Sequence, residues 1–94
     1  MSDAAVGTTL DAKPRVSRQF RLQWEEVQQS WVLLYPEGMV RLNRSAGEIM
    51  KRSDGIATVQ EIVADLERSF GAEGLTHDVL GFIDLAKKQR WIEV

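Results

Sequence analysis

His77 is the only imidazole in the 94-residue chain, and there is no cysteine. Zinc sites draw several ligands from His and Cys, so neither a structural nor a catalytic zinc centre can be assembled from this composition. His77 falls in or just before the first turn of a predicted helix, where a lone imidazole reads as an ordinary surface residue. Glu25-Glu26 could in principle supply a general acid and base, but at a strand end both carboxylates are expected to be solvated. Asp54-Gly55 is explained by helix termination, because glycine takes the left-handed conformation that closes a helix. Gly71-Ala-Glu-Gly74 has the glycines of a phosphate loop without a following lysine or a preceding strand. Nothing in the sequence groups a nucleophile, a base and an oxyanion site, and the expectation is a protein that is not an enzyme.

What remains for chemistry is main-chain hydrogen bonding, and one stretch is built for it. In Trp31-Val-Leu-Leu-Tyr35-Pro-Glu-Gly-Met39-Val-Arg-Leu42-Asn43 a strand, a tight turn, a second strand and a helix cap follow without slack. Pro36 presets φ for position i+1 of a type I turn and Gly38 suits position i+3. The run before the turn is apolar on both faces, which suits a central strand. The run after it alternates, with Val40 and Leu42 on one face and Met39 and Arg41 on the other. Asn43 can accept from an amide of the next helix's first turn. The second strand is read as a sheet edge left open for another peptide chain.

The elements that must position this edge are few. Residues 1–13 are small, polar and aperiodic, the pattern of a flexible tail. Residues 14–94 form one domain, because a chain this short supports a single core with a net stability of roughly 5 kcal/mol. Phe20, Leu22 and Trp24 alternate with Arg21, Gln23 and Glu25, which predicts a half-exposed strand. Three consecutive strands with short links predict an antiparallel meander. A first helix is expected over 44–53, ending at Asp54-Gly55. A second opens with the capping box Thr58-Val-Gln-Glu61 and carries Val59, Ile62, Val63, Leu66 and Phe70 at helical spacing. A third is expected to start with Thr76 as its cap and to run to about Gln89. Trp91 to Val94 fit either a short last strand or an extended tail folded onto the core. The fold class is α+β: a three-stranded antiparallel sheet followed by three helices, like a winged helix-turn-helix.

The third helix carries more apolar surface than one core-facing stripe needs. At 100° per residue, Leu75, Val79, Phe82, Ile83 and Ala86 cluster, and Leu80 and Leu85 widen the arc on either shoulder. Either the helix is buried on two sides, or the shoulder of Phe82, Leu85 and Gln89 walls a groove for a partner. A winged-helix DNA-binding regulator is the alternative from a different class. Its recognition helix would bring Arg and Lys to phosphates, whereas here Lys87, Lys88 and Arg90 sit at the C-terminal end, offset by Asp78 and Asp84. A formal charge of −2 and a pI near 5.3 give no general attraction to nucleic acid or to anionic membranes. No run approaches the ~20 apolar residues of a membrane span, and the N-terminus lacks the pattern of a secretory signal. A cytoplasmic location is expected.

Several runs are specific enough to resemble a known family. Arg21-Leu-Gln-Trp24-Glu25, Gln29-Ser-Trp31-Val-Leu-Leu-Tyr35-Pro-Glu-Gly-Met39-Val and Leu42-Asn-Arg-Ser-Ala-Gly-Glu-Ile49 closely resemble PqqD, the peptide chaperones of pyrroloquinoline quinone (PQQ) biosynthesis. The likeness continues through Asp54-Gly55 and Thr58-Val-Gln-Glu-Ile62 and leaves out only the first dozen residues. Met50 stands where relatives often have leucine, a swap of similar volume. Ala57 stands where a larger or basic residue is expected.

The resemblance implies that the chain binds a ribosomally made precursor peptide and presents it to a radical S-adenosylmethionine (SAM) enzyme, which cross-links a Glu and a Tyr within it. It implies a RiPP recognition element (for ribosomally synthesised, post-translationally modified peptides), with the guest added as a strand beside the third strand and against the third helix. Carried onto this chain, the strand residues are Gly38, Met39, Val40, Arg41 and Leu42, and the helix residues are Phe82, Leu85 and Gln89. The chaperone itself needs no cofactor, since the iron–sulfur cluster belongs to the enzyme. An exposed edge next to a short hinge also makes a homodimer through that edge an expectation to test.

Overall fold

The computed structural model describes residues 7–94; the first six residues of the predicted tail lie outside them. The chain runs β1 (Arg15–Val16), β2 (Arg21–Glu25), β3 (Ser30–Tyr35), β4 (Gly38–Arg41), α1 (Arg44–Lys51), α2 (Val59–Phe70), α3 (Thr76–Lys88) and β5 (Ile92–Glu93). The expected meander is present as an antiparallel sheet of order β2-β3-β4. The apolar run is the central strand, and the two-residue turn Pro36-Glu37 joins the Tyr35–Gly38 pair.

Cross-strand neighbours share a face, so the register sorts the sheet into two sides. Leu22, Leu33 and Val40 stand opposite one another and pack with the core formed by the helices. Gln23, Val32 and Arg41 stand on the other side. Val32 is only 2% exposed, yet it is not part of that core cluster.

The core proper joins Leu33 and Leu42 to Ala46, Ile49 and Met50 of α1, Val59, Ile62, Val63 and Leu66 of α2, and Val79, Ile83 and Ala86 of α3. Gly47 of α1 lies against Trp31. A Cβ built there would stand 2.6 Å from Trp31 Cδ1, so only glycine lets the helix approach the ring this closely. Asn43 caps α1 as expected, its Oδ1 accepting from Ala46 N–H at 2.8 Å. The α2 capping box is also formed, with Glu61 N–H donating to Thr58 Oγ1 and Thr58 N–H to Glu61 Oε1. Gly71 ends α2 in the left-handed conformation.

Two boundaries differ from expectation. First, α1 stops at Lys51, with Arg52 as its C-cap. Gly55, at φ 81°, serves the following turn instead, where Asp54 Oδ1 accepts from the amides of Ile56 and Ala57. Second, Thr76 is not a cap but the first residue of α3; Leu75 precedes it in right-handed helical geometry without a side-chain cap bond. The Leu75 amide is satisfied from α2, by Glu67 Oε2 at 3.0 Å. Of the two readings of residues 91–94 the strand is the one present: β5 pairs antiparallel with β1, and an Arg15–Glu93 ion pair of 2.9 Å joins them.

The tertiary contacts begin before residue 14. The carbonyls of Leu10 and Ala12 accept from Gln60 and Val59, two amides in the first turn of α2 that have no partner within the helix. Thr8 donates from N and Oγ1 to Asp84 Oδ1, at 3.0 and 2.6 Å, and Lys87 Nζ donates to Thr8 Oγ1 at 3.2 Å. This strap runs along the shoulder of α3 that carries Asp84 and Lys87. No helix among the described residues is long and apolar enough to cross a membrane.

Candidate functional site

The outer edge of β4 presents main-chain groups whose phase follows from the register. Leu42 N–H donates to Trp31 O at 3.0 Å, directly opposite it. Hydrogen-bonded and non-hydrogen-bonded pairs alternate along an antiparallel ladder, so Leu33–Val40 and Tyr35–Gly38 are also of the bonded kind. Met39, opposite Leu34, and Arg41, opposite Val32, are then non-bonded positions whose N–H and C=O point away from β3. No described strand pairs with that edge. The C-terminal segment, which could have sealed it, is taken up by β1.

Beside this edge lies an apolar groove of about 290 Å³. Arg41 and Leu42 form one side, Phe82 and Leu85 of α3 the other, and Ala46 and Ile49 of α1 lie between, with Trp91 also in the lining. Leu85 is 48% exposed, while Phe82 is half-buried and sits 6.5 Å from the Trp91 ring. The groove shares Ser45, Ile49 and Asp78 with a second apolar hollow between α1, α2 and α3. There the Arg44 guanidinium lies 5.5 Å from the centre of the Phe70 ring, a cation–π distance.

The structure therefore brings four of the eight sequence-derived residues into one groove: Arg41, Leu42, Phe82 and Leu85. Gly38, Met39 and Val40 continue the same strand outside the groove lining, and Gln89 is exposed at the C-cap of α3, also outside it. Leu42 is buried, so it floors the groove and does not project into it. Ala46, Ile49 and Trp91 are absent from that set, because helical periodicity marks Ala46 and Ile49 only as core and the C-terminal segment is read as packing Trp91 onto that core. Their place at the groove depends on how α1 and the C-terminal turn pack against α3. Of the two readings of the wide apolar arc on α3, each describes a different shoulder. Leu80 packs against the core, whereas Leu85 stands in the open groove.

Two charged residues, Arg41 and Asp78, line this groove, but no ion pair among the described residues involves a residue of its lining. Arg52 joins α1 to α2 through Glu48 Oε1 at 2.7 Å and Asp65 Oδ2 at 2.6 Å, and Arg68 adds a second bond to Asp65. Burial draws the pKa of Arg52 downward, but hydrogen bonds to Glu48 and Asp65 outweigh it and leave the pKa raised. The Arg52 bond, with help from Arg68, holds the Asp65 carboxyl below its ordinary value. The amides of Ala57 and Ile56 do the same for Asp54. Among the described residues no cluster of His, Cys, Asp or Glu is arranged to hold a metal ion.

Fold and site together define a small α+β domain whose exposed sheet edge borders an apolar groove. Comparison with known proteins gives the same architecture a family. Residues 30–92 match the family model of coenzyme PQQ synthesis protein D, PqqD. A PqqA binding protein of Azotobacter vinelandii is 47% identical over 93% of this chain and 96% of its own length. One from Pseudomonas aeruginosa is 49% identical over 92% and 95%. The solution NMR structure of the PqqD truncation of Methylobacterium extorquens PqqCD, described as a functional, stand-alone RiPP recognition element, superposes with a TM-score of 0.79. It is 28% identical and covers 98% of this chain and all of its own. The chain belongs to the PqqD family.

Proposed function

We propose that this chain is a peptide chaperone of PQQ biosynthesis that binds the ribosomal precursor peptide as an added strand on β4. It presents that peptide, in the cytoplasm, to the radical SAM enzyme that cross-links a Glu and a Tyr within it. Residues 14–94 act as the recognition domain. The observation that carries the reading is the outward main-chain pair at Met39 and Arg41 beside a groove walled by Phe82 and Leu85. Strand addition needs both parts: backbone hydrogen bonds give affinity, and pockets for alternate side chains give selectivity. Relatives named PqqA binding proteins support the identity of the guest.

The test is a titration of the isotope-labelled protein with its precursor peptide, read by NMR. Amides of residues 38–42 and 80–89 should shift. Shifts confined to β2 or to residues 7–13 would refute the site. The regulator alternative predicts binding to duplex DNA that weakens steeply with salt.

A further inference from the structure

We infer that the β4 edge selects an extended peptide with apolar side chains at alternate positions and a carboxylate at an intervening position beside Arg41. The inference rests on the strand-addition reading and assigns the chemistry of the guest. Adjacent strands keep their side chains in phase, in parallel and antiparallel pairing alike. Guest residues beside Val40 and Leu42 must therefore point to the helix side of the sheet. Half-buried Val40 and buried Leu42 line that side, and the groove of Phe82, Leu85, Ile49 and Ala46 opens there. Such positions reward apolar side chains and exclude charge.

The guest residue between them lies beside Arg41, which alternates to the opposite face of the sheet by register while also lining the rim of the groove. Arg41 is exposed, and among the described residues it takes part in none of the ion pairs, which engage Arg15, Arg52 and Arg68. Its nearest cross-strand neighbours, Val32 and Gln23, carry no charge. Arg41 is thus a cation at the open edge whose facing partners within the sheet are neutral. A guest carboxylate one strand further out would complete a charged cross-strand pair, and a guest cation there would be repelled. Apolar–acidic–apolar is the pattern that satisfies both faces at once.

The experiment measures precursor-peptide affinity calorimetrically for wild type, Arg41→Gln and Arg41→Glu, with the amide shifts of 38–42 recorded for each. Arg41→Gln should weaken binding by up to roughly fivefold, the upper end for an exposed ion pair, and Arg41→Glu by about tenfold through added repulsion. Single Asp or Glu to Lys changes through the peptide should then rescue Arg41→Glu at one position. Equal rescue at every acidic position, or wild-type affinity in both variants with the 38–42 shifts intact, overturns the carboxylate assignment and leaves strand addition standing. Absence of those shifts in the wild-type complex overturns strand addition itself. Arg41→Gln removes the charge without introducing repulsion, so the test stands even if Arg41→Glu folds poorly.

Discussion

Replacing Met39 by proline deletes one outward amide while sparing the ladder that holds β4 in the sheet. The Met39 N–H points away from β3, whereas the ladder bonds are made at Val40 and Gly38. Proline is compatible with an edge strand when its missing donor faces solvent, so Met39→Pro should fold. The loss to a bound guest has two parts. One hydrogen bond contributes about 1 kcal/mol net, and a guest carbonyl left buried without a donor costs about 1–3 kcal/mol. The ring also occupies space where the guest backbone must approach. A total near 2–4 kcal/mol corresponds to roughly a 30- to 700-fold rise in Kd at 1.4 kcal/mol per decade. Calorimetric titration with the precursor peptide reads it, and circular dichroism melting establishes that the variant is folded. Met39→Ala is the control. The Met39 side chain is 55% exposed and stands on the face away from the helices, so its truncation should change affinity little. A folded Met39→Pro protein with undiminished affinity would show that the guest does not use this edge.

Three further outcomes follow from the same geometry. Leu85→Ala should leave stability within about 1 kcal/mol, because the side chain is half exposed. It should weaken peptide binding roughly fivefold, the value of burying the remaining half of a leucine; equal affinity would remove Leu85 from the site. Gly47→Ala should destabilise the fold by about 1–3 kcal/mol, since the new methyl would overlap the Trp31 ring. A gain in helix propensity of at most about 1 kcal/mol offsets part of this, and an unchanged urea midpoint would mean that the ring moves freely. Acid should destabilise the protein through Asp54 and Asp65, whose folded pKa values are depressed by main-chain amides and by Arg52 respectively. Their contribution is complete above the unfolded value of about 3.9 and is lost as pH falls from there through the folded values. The double variant Asp54→Asn/Asp65→Asn should flatten that loss in denaturation curves taken between about pH 5 and 2, and an unaltered profile would contradict the assignment.

The elements legible in the sequence are those with a repeating pattern or a local cap. Phe20, Leu22 and Trp24 marked β2, the doubly apolar run marked β3, and Thr58 with Glu61 marked the start of α2. β1 escaped because it is two residues long, too short for alternation to register, and the equally short β5 left strand and tail both open. Their pairing is a contact between chain ends, which local propensity does not encode. The α3 start differs for a related reason: Leu75 holds the cap position without a side-chain cap bond, and its own amide is met by Glu67 from the preceding helix. At the site, alternation sorted Met39 and Arg41 from Val40 and Leu42. It did not supply the phase of the outward amides, which depends on the partner strand's register. Ala46, Ile49 and Trp91 looked like core because burial against a core and burial at a groove produce the same apolar periodicity.

The sheet has two edges, and the difference between them is what the helices add. By the same alternation, β2 turns the main-chain groups of Leu22 and Trp24 outward. The groove walled by α3, however, is lined by residues of β4 and not of β2. Both ends of the described chain are engaged elsewhere. β5 closes on β1, and residues 8–12 bind the first turn of α2 and the far shoulder of α3. On a helical wheel, Asp84 and Lys87 lie on one side of the buried Val79, Ile83 and Ala86 stripe, and Phe82 and Leu85 lie on the other. The strap thus holds α3 from behind while its opposite shoulder faces the β4 edge. A groove wall fixed in this way loses less freedom when a guest arrives, and preorganisation of that kind raises affinity without adding a contact.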